Sequence, residues 1–111
     1  MYEEQDQLDE DLARLAESLR SGEHMLACLR LAEFALKLER CIRCEERAFA
    51  MASHAPLAKV HREHDSMRRL IGLIASALDR TDDRRCLEVI GKLRSVLLLH
   101  LEKERALHTV H

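Results

Sequence analysis

Apolar residues recur along the chain at spacings of three and four, the period of a helix that buries one face. Three breaks interrupt this pattern, at Ser21-Gly22, at His54-Ala55-Pro56 and at Arg80-Thr81-Asp82, and all are typical of helix ends. The stretches between them predict four helices, at about residues 3–20, 23–53, 57–79 and 83–108. Because short turns make successive helices antiparallel, residues 1–111 are predicted to form one domain, an all-α, up-down-up-down antiparallel four-helix bundle.

The composition agrees with a packed helical chain and argues against several other classes of protein. The 111 residues are 47% hydrophobic and 34% charged, with only three glycines and one proline, which favours neither strands nor disorder. A net charge of −2 predicts no nucleic-acid partner. No apolar run approaches the about 18 residues of a membrane span, so no membrane partner is expected. Because the acidic N-terminus lacks a signal-peptide pattern, we expect a cytoplasmic protein with reduced cysteines.

Polar residues interrupt the predicted apolar stripes at four positions. The stripe of helix 2 passes through Glu45, that of helix 3 through His64, and that of helix 4 through His100 and Glu104. A buried carboxylate or imidazole that lacks a partner is strongly destabilising. These side chains are therefore expected to satisfy one another or to bind something.

Residue counting places these polar positions at one end of the bundle. Gln5 lies 17 residues before Gly22 and Cys41 lies 19 after it. In the same way, His64 lies 17 residues before Thr81 and His100 lies 19 after it. Because every residue of a helix advances by about 1.5 Å, these four share one layer. Glu45 and Glu104 lie one helical turn beyond this layer, on the side away from Gly22 and Thr81.

Glutamate and histidine that converge inside a four-helix bundle are typical of a metal site. Carboxylates bridge cations, and neutral imidazoles supply nitrogen ligands. Cys41 with Glu45, and His100 with Glu104, are pairs spaced by four residues that share a helix face. The alternative that the pattern leaves open is a buried network of His–Glu hydrogen bonds without a metal.

Three segments resemble those of a known family: Cys-Ile-Arg-Cys-Glu-Glu-Arg at 41–47, Arg-Glu-His at 62–64 and His-Leu-Glu-Lys-Glu at 100–104. They are similar to the hemerythrin-like, or HHE cation-binding, domains, and the resemblance covers most of the chain. It implies a four-helix bundle with a non-haem di-iron centre and two bridging carboxylates. On this resemblance Glu45 and Glu104 bridge the irons, and His64 and His100 bind one of them.

The chain departs from the family pattern at two positions. Cys41 replaces the histidine of helix 2, and Gln5 replaces that of helix 1. A thiolate binds iron well and zinc very well, whereas an amide is a weak ligand that Asp9, four residues on, can replace. The predicted metal ligands are Cys41, Glu45, His64, His100 and Glu104, with Gln5, Asp9 and His61 as further candidates.

The resemblance implies a metal-binding protein with one or two non-haem irons, or zinc as the alternative. We expect it to sense or handle oxygen, nitric oxide, peroxide or metal, rather than to act as an enzyme, although catalytic turnover of peroxide or nitric oxide stays open. The alternative is a non-catalytic interaction module with a structural zinc or a metal-free site. A homodimer is compatible with so small a bundle.

The remaining cysteines and one histidine are predicted to be structural. Cys28 and Cys86 follow helical patterns and are expected in the core, while Cys44 is expected to be a buried or boundary thiol. His24, at the start of helix 2, is expected on the surface.

Overall fold

The computed structural model consists of four α-helices. They are α1 (Tyr2–Arg20), α2 (His24–Met51), α3 (Leu57–Asp79) and α4 (Asp83–Thr109). The structure describes residues 2–51 and 57–109, and describes side chains for 7–51 and 58–103. Each helix begins and ends within two residues of its predicted bounds.

The helices pack around a square. Helix α1 contacts α2 and α4, helix α3 contacts the same two helices, and within the described residues neither diagonal pair is in contact. This confirms the predicted all-α four-helix bundle. None of the helices, as far as they are described, combines the length and the apolar run that a membrane crossing requires.

The turn between α1 and α2 is closed by a glycine in the left-handed conformation. Gly22 has a φ of 72°. Its backbone N–H donates to Leu19 O at 3.1 Å, and the N–H of Glu23 donates to Ser18 O at 2.9 Å. These two bonds form a Schellman motif, which satisfies the last carbonyl groups of α1.

The turn between α3 and α4 uses the same motif without a glycine. Thr81 has a φ of 55°, a conformation that a β-branched residue rarely adopts. The backbone N–H groups of Thr81 and Asp82 donate to Leu78 O at 3.0 Å and to Ala77 O at 2.9 Å. Asp82 then caps α4, because its Oδ1 accepts the backbone N–H of Arg85 at 3.1 Å.

The two turns lie at one end of the bundle, which we call the turn end. The core there is apolar, and its buried residues include Leu12, Leu15, Leu19, Ala27, Leu31, Ile74, Leu78, Cys86 and Ile90. Cys86 is buried as predicted, but the prediction is wrong for Cys28, which is exposed. The neighbouring Ala27 takes the core position on α2, and this leaves Cys28 turned away from it. Cys44 is exposed as well, so the prediction of a buried or boundary thiol is wrong, because Ile42 and Glu45 take the core positions of this turn of α2.

Ion pairs between helices fix the relative heights of the helices. Arg94 on α4 donates to both carboxylate oxygens of Asp9 on α1, at 2.7 and 3.1 Å. Arg68 on α3 donates in the same two-pronged way to Glu39 on α2, at 3.1 and 2.8 Å. Asp9 lies thirteen residues before Gly22, and Arg94 lies thirteen after Thr81. Counting residues from the turns therefore places these two partners at the same height along the bundle, as their ion pair requires.

Candidate metal centre

Three helices bring three of the predicted ligands together in the half of the bundle away from the turns. Glu45 of α2, His64 of α3 and His100 of α4 are 4%, 0% and 9% exposed. One ligand atom from each lies within 4.8 Å of the others. We call these three residues the Glu45 triad. Among the described residues it is the one group of three or more such side chains with this spacing.

The carboxylate of Glu45 contacts both imidazole rings. Its Oε2 is 3.1 Å from His64 Nε2, and its Oε1 is 2.7 Å from His100 Nε2. The two rings approach edge to face, with their centroids 5.4 Å apart. Both Nε2 atoms therefore contact the same carboxylate, one at each of its oxygens.

The other nitrogen of each ring meets a second carboxylate. His64 Nδ1 lies 3.0 Å from Glu46 Oε2, and His100 Nδ1 lies 2.7 Å from Glu63 Oε2. Histidines that bind a metal through one nitrogen commonly donate the other N–H to a carboxylate, which fixes the ring and its tautomer. The arrangement thus holds both rings with Nε2 facing inward.

Sequence analysis did not identify Glu46 and Glu63. Each is next to a triad residue in the sequence, but each contacts a histidine of another helix, Glu46 that of α3 and Glu63 that of α4. Lys103 Nζ donates to the other carboxylate oxygen of Glu63, at 3.4 Å. Adjacent glutamates offer a weak signal, because on a helix they lie at the side of the buried stripe and are usually solvated.

The triad favours positive charge on its histidines when no ion lies between them. Burial disfavours the imidazolium of His100, but hydrogen bonds to Glu45 and Glu63, and their negative charge, raise its pKa to about 9. The pKa of His64 is also raised, because Glu45 and Glu46 outweigh its burial.

The two outer carboxylates respond in the opposite direction. The hydrogen bond from His64 is the largest cause that lowers the pKa of Glu46. Burial works to raise the pKa of Glu63, but His100 and Lys103 together lower it. Both groups are therefore anionic at neutral pH and available to accept N–H groups from the rings.

The donor set fits a transition-metal ion. Two imidazoles and one carboxylate on one side of an ion are the ligands of many non-haem iron sites, which keep positions open for small molecules. Two ligand atoms on bonds of about 2.1 Å at right angles lie about 3.0 Å apart. The separations of 3.1 Å to Oε2 and 2.7 Å to Oε1 of Glu45 are near that value, and they are also those of ordinary hydrogen bonds. When an ion binds, the two imidazole rings lose their extra protons and become neutral. The three carboxylates around them then leave a net negative charge, which favours a multivalent cation.

The other predicted ligands have different surroundings. Cys41 is buried one turn before Glu45 but is not part of the triad. Asp9 is engaged by Arg94 instead. His61 is half-exposed, and its Nδ1 lies 2.9 Å from Glu46 Oε2, so it contacts an outer carboxylate. The side chains of Gln5 and Glu104 lie outside the described residues.

Comparison of the chain with models of protein families, with curated proteins and with solved structures finds no match. The resemblance to hemerythrin-like domains therefore stays a prediction from the three segments that suggested it. What can be said of the site depends on the geometry of the Glu45 triad and its two outer carboxylates.

Proposed function

We propose that this protein binds non-haem iron through Glu45, His64 and His100. Through that iron it senses or handles oxygen, nitric oxide, peroxide or the metal itself, as a divergent protein of the hemerythrin-like type. The observation that supports this most is the orientation of the two rings. Both Nε2 atoms meet at one buried carboxylate, while both Nδ1 atoms are held by other carboxylates.

Each residue of the site has a distinct part in this proposal. His64 and His100 would hold the iron through Nε2, and Glu45 would hold it through its carboxylate, which could also serve a second ion. Glu46 and Glu63 accept the Nδ1–H groups and so increase the electron donation of the rings. Iron held in this way supplies a place for a diatomic molecule or peroxide to bind and an electron to exchange with it.

The number of irons depends on residues beyond the triad. One ion would be held by the triad alone and would leave coordination positions for a small molecule. A second ion on the other oxygen of Glu45 needs further ligands, and Cys41, Gln5 and Glu104 are the proposed sources. Cys41 lies one helical turn from Glu45 and is buried.

A second candidate is an interaction module with a structural zinc or no metal. It is favoured by the completeness of the hydrogen bonds: each of the four ring nitrogens of His64 and His100 has a carboxylate oxygen within 3.1 Å. Two imidazolium ions among three carboxylates satisfy one another without an ion. Such a network stabilises a bundle surface for a partner protein rather than a redox site.

Elemental analysis of protein purified without oxygen separates these candidates. The wild type is expected to contain one or two irons per chain, and Glu45→Ala and His100→Ala are expected to contain none. His61→Ala is the matched control, because His61 is a half-exposed histidine that contacts Glu46 but not the triad, and this variant is expected to retain its iron. A folded wild type without iron contradicts the proposal. Zinc in its place favours the structural alternative.

The sensing part of the proposal has its own test. Reduced, iron-loaded protein is exposed to oxygen, nitric oxide or hydrogen peroxide while its absorption spectrum is recorded. A new ligand-to-metal band with at least one of the three is expected. An unchanged spectrum with all three contradicts sensing, even if iron is bound.

A further inference from the structure

The outward face of α2 carries a line of apolar side chains along the first half of the helix. Met25, Leu29 and Leu36 are 81%, 62% and 67% exposed, and Ala32 between them is exposed as well. Spacings of four, three and four residues place all four on one side of the helix. We call these residues the α2 stripe. Single exposed apolar residues are common on a protein surface, whereas a contiguous line of them is typical of an interaction surface.

The same line becomes cationic in the second half of the helix. Arg40, Arg43 and Arg47 continue it at spacings of four, three and four residues, and all three are exposed. Arg43 is paired with Glu39 of the same helix, at 3.7 Å. A partner that covers the α2 stripe must therefore also avoid a second row of positive charge at its end.

This division of the face determines how two copies of the chain can pack through it. A parallel arrangement sets the arginines of one copy opposite the same arginines of the other, and the like charges repel. An antiparallel arrangement has its two-fold axis between Leu29 and Ala32 and moves the arginines to opposite ends. The two copies of Arg40 are then about 28 Å apart along the helix axis, which is more than two Debye lengths.

Opposite charges come to the same level in the antiparallel arrangement. Arg40 of one copy lies within about 3 Å of the height of Glu23 of the other copy. Glu33 of one copy lies equally near the height of Arg30 of the other. Each relation occurs twice because of the two-fold symmetry. The charges beside the α2 stripe are thus complementary to a second copy of the same surface.

We propose that the α2 stripe is the contact surface of an antiparallel homodimer. Leu29 of each copy packs against Ala32 of the other at the two-fold axis, and Met25 of each packs against Leu36. The stripe is only about 17 Å long, so one helix from each copy buries less than the about 1,200 Å² of a stable interface. The dimer is therefore weak and forms at micromolar concentration. It does not rest on the function proposed for the Glu45 triad, because Glu45 lies on the opposite, buried face of α2.

Sedimentation velocity of the full-length, reduced protein tests whether the dimer forms. The sedimentation coefficient is expected to rise from that of a monomer to that of a dimer between about 5 and 500 µM, as the small interface implies. A chain that remains monomeric at the highest concentration overturns the proposal and leaves the α2 stripe to a partner of different sequence.

Two matched variants assign the surface. Leu29→Glu places two carboxylates beside the two-fold axis and is expected to raise the dissociation constant by about thirtyfold or more. Leu98→Glu is the control, because Leu98 is also an exposed leucine but lies on α4, which does not contact α2. The control is expected to dimerise like the wild type. A dimer of undiminished strength in Leu29→Glu, or its loss in Leu98→Glu, overturns the proposal. Both positions are exposed, so both variants are expected to fold.

Cross-linking through the exposed cysteines tests the orientation of the two copies. Cys28 and Cys44 are the exposed cysteines of α2. In the antiparallel dimer the two copies of Cys28 lie about 8 Å apart along the helix axis, and those of Cys44 about 40 Å apart. A short bismaleimide is therefore expected to join Cys28 to Cys28 and to leave Cys44 unlinked, as mass spectrometry of the peptides reports. Links between two copies of Cys44, which a parallel dimer places at one height, overturn the proposed arrangement.

Discussion

The turn end of this bundle buries apolar side chains, whereas the opposite half buries the polar Glu45 triad among its apolar ones. At the turn end the period of three and four places leucine, isoleucine and alanine in the core. In the opposite half the same period places Glu45, His64 and His100 there. Replacing a buried ionic group by apolar residues of similar volume is often neutral or stabilising, so stability alone does not require the triad. This contrast is the reason that we propose a binding role for the triad.

The largest expected effect comes from breaking the triad. Glu45→Ala leaves two buried imidazole rings without their shared acceptor, so without metal the free energy of unfolding is expected to fall by about 3–5 kcal/mol. Because neutral rings tolerate this loss better than charged rings, the penalty is expected to shrink at pH above 9. Urea unfolding at pH 7 and at high pH measures both values.

The matched change at the turn end is Leu15→Ala, at a residue that is fully buried. A cavity there is expected to cost about 2–5 kcal/mol by the same measurement. No titratable group is involved, so this penalty is expected to be the same at both pH values. If the penalty of Glu45→Ala were equally independent of pH, the charged state assigned to the histidines would be contradicted.

The pH dependence of the wild type without metal is the next effect in size. The pKa of His100 is raised from 6.5 to about 9, so the folded state holds its proton more tightly than the unfolded state. That stabilisation is complete below pH 6.5 and is lost as the pH rises through about 9. After an allowance for solvent screening, the loss is about 2 kcal/mol. Chemical denaturation between pH 6 and pH 9.5 measures it, and constant stability over that range contradicts the assignment.

A smaller effect is expected at the turn between α3 and α4. Thr81 adopts a left-handed conformation that glycine adopts without strain, as Gly22 does in the corresponding turn. Thr81→Gly is therefore expected to raise the melting temperature, by a stabilisation of about 1 kcal/mol. Thr81→Ala is the control, since it removes the side-chain hydroxyl but keeps the strain. An increase as large in the control would contradict the explanation.

The fold and the triad follow from periodicity that is visible in the sequence. Each triad residue interrupts an apolar stripe, and counting from Gly22 and Thr81 places His64 and His100 at one level. Helix geometry is regular enough for such counting to hold over almost twenty residues. Neither step needs knowledge of a partner side chain.

The remaining features depend on contacts that a one-dimensional pattern does not contain. Asp9 was predicted as a candidate ligand, but its partner is Arg94, 85 positions away. The role of Glu63 depends on the rotation of α3 against α4, which places it on His100. Cys28 was predicted in the core from its residue type. Its exposure depends instead on which face of α2 points to the core, and the buried position of Ala27 shows that Cys28 lies off that face.

The central claim is that the Glu45 triad binds iron, and iron-dependent stability tests it most directly. Melting temperatures of the parent protein are measured without oxygen, with and without ferrous iron. Iron at about a hundred times its dissociation constant is expected to add about 2.7 kcal/mol, or roughly 10 °C. The same increase is expected with Leu15→Ala added and none with Glu45→Ala added. No increase in the parent protein, or an equal increase with Glu45→Ala, would contradict the claim.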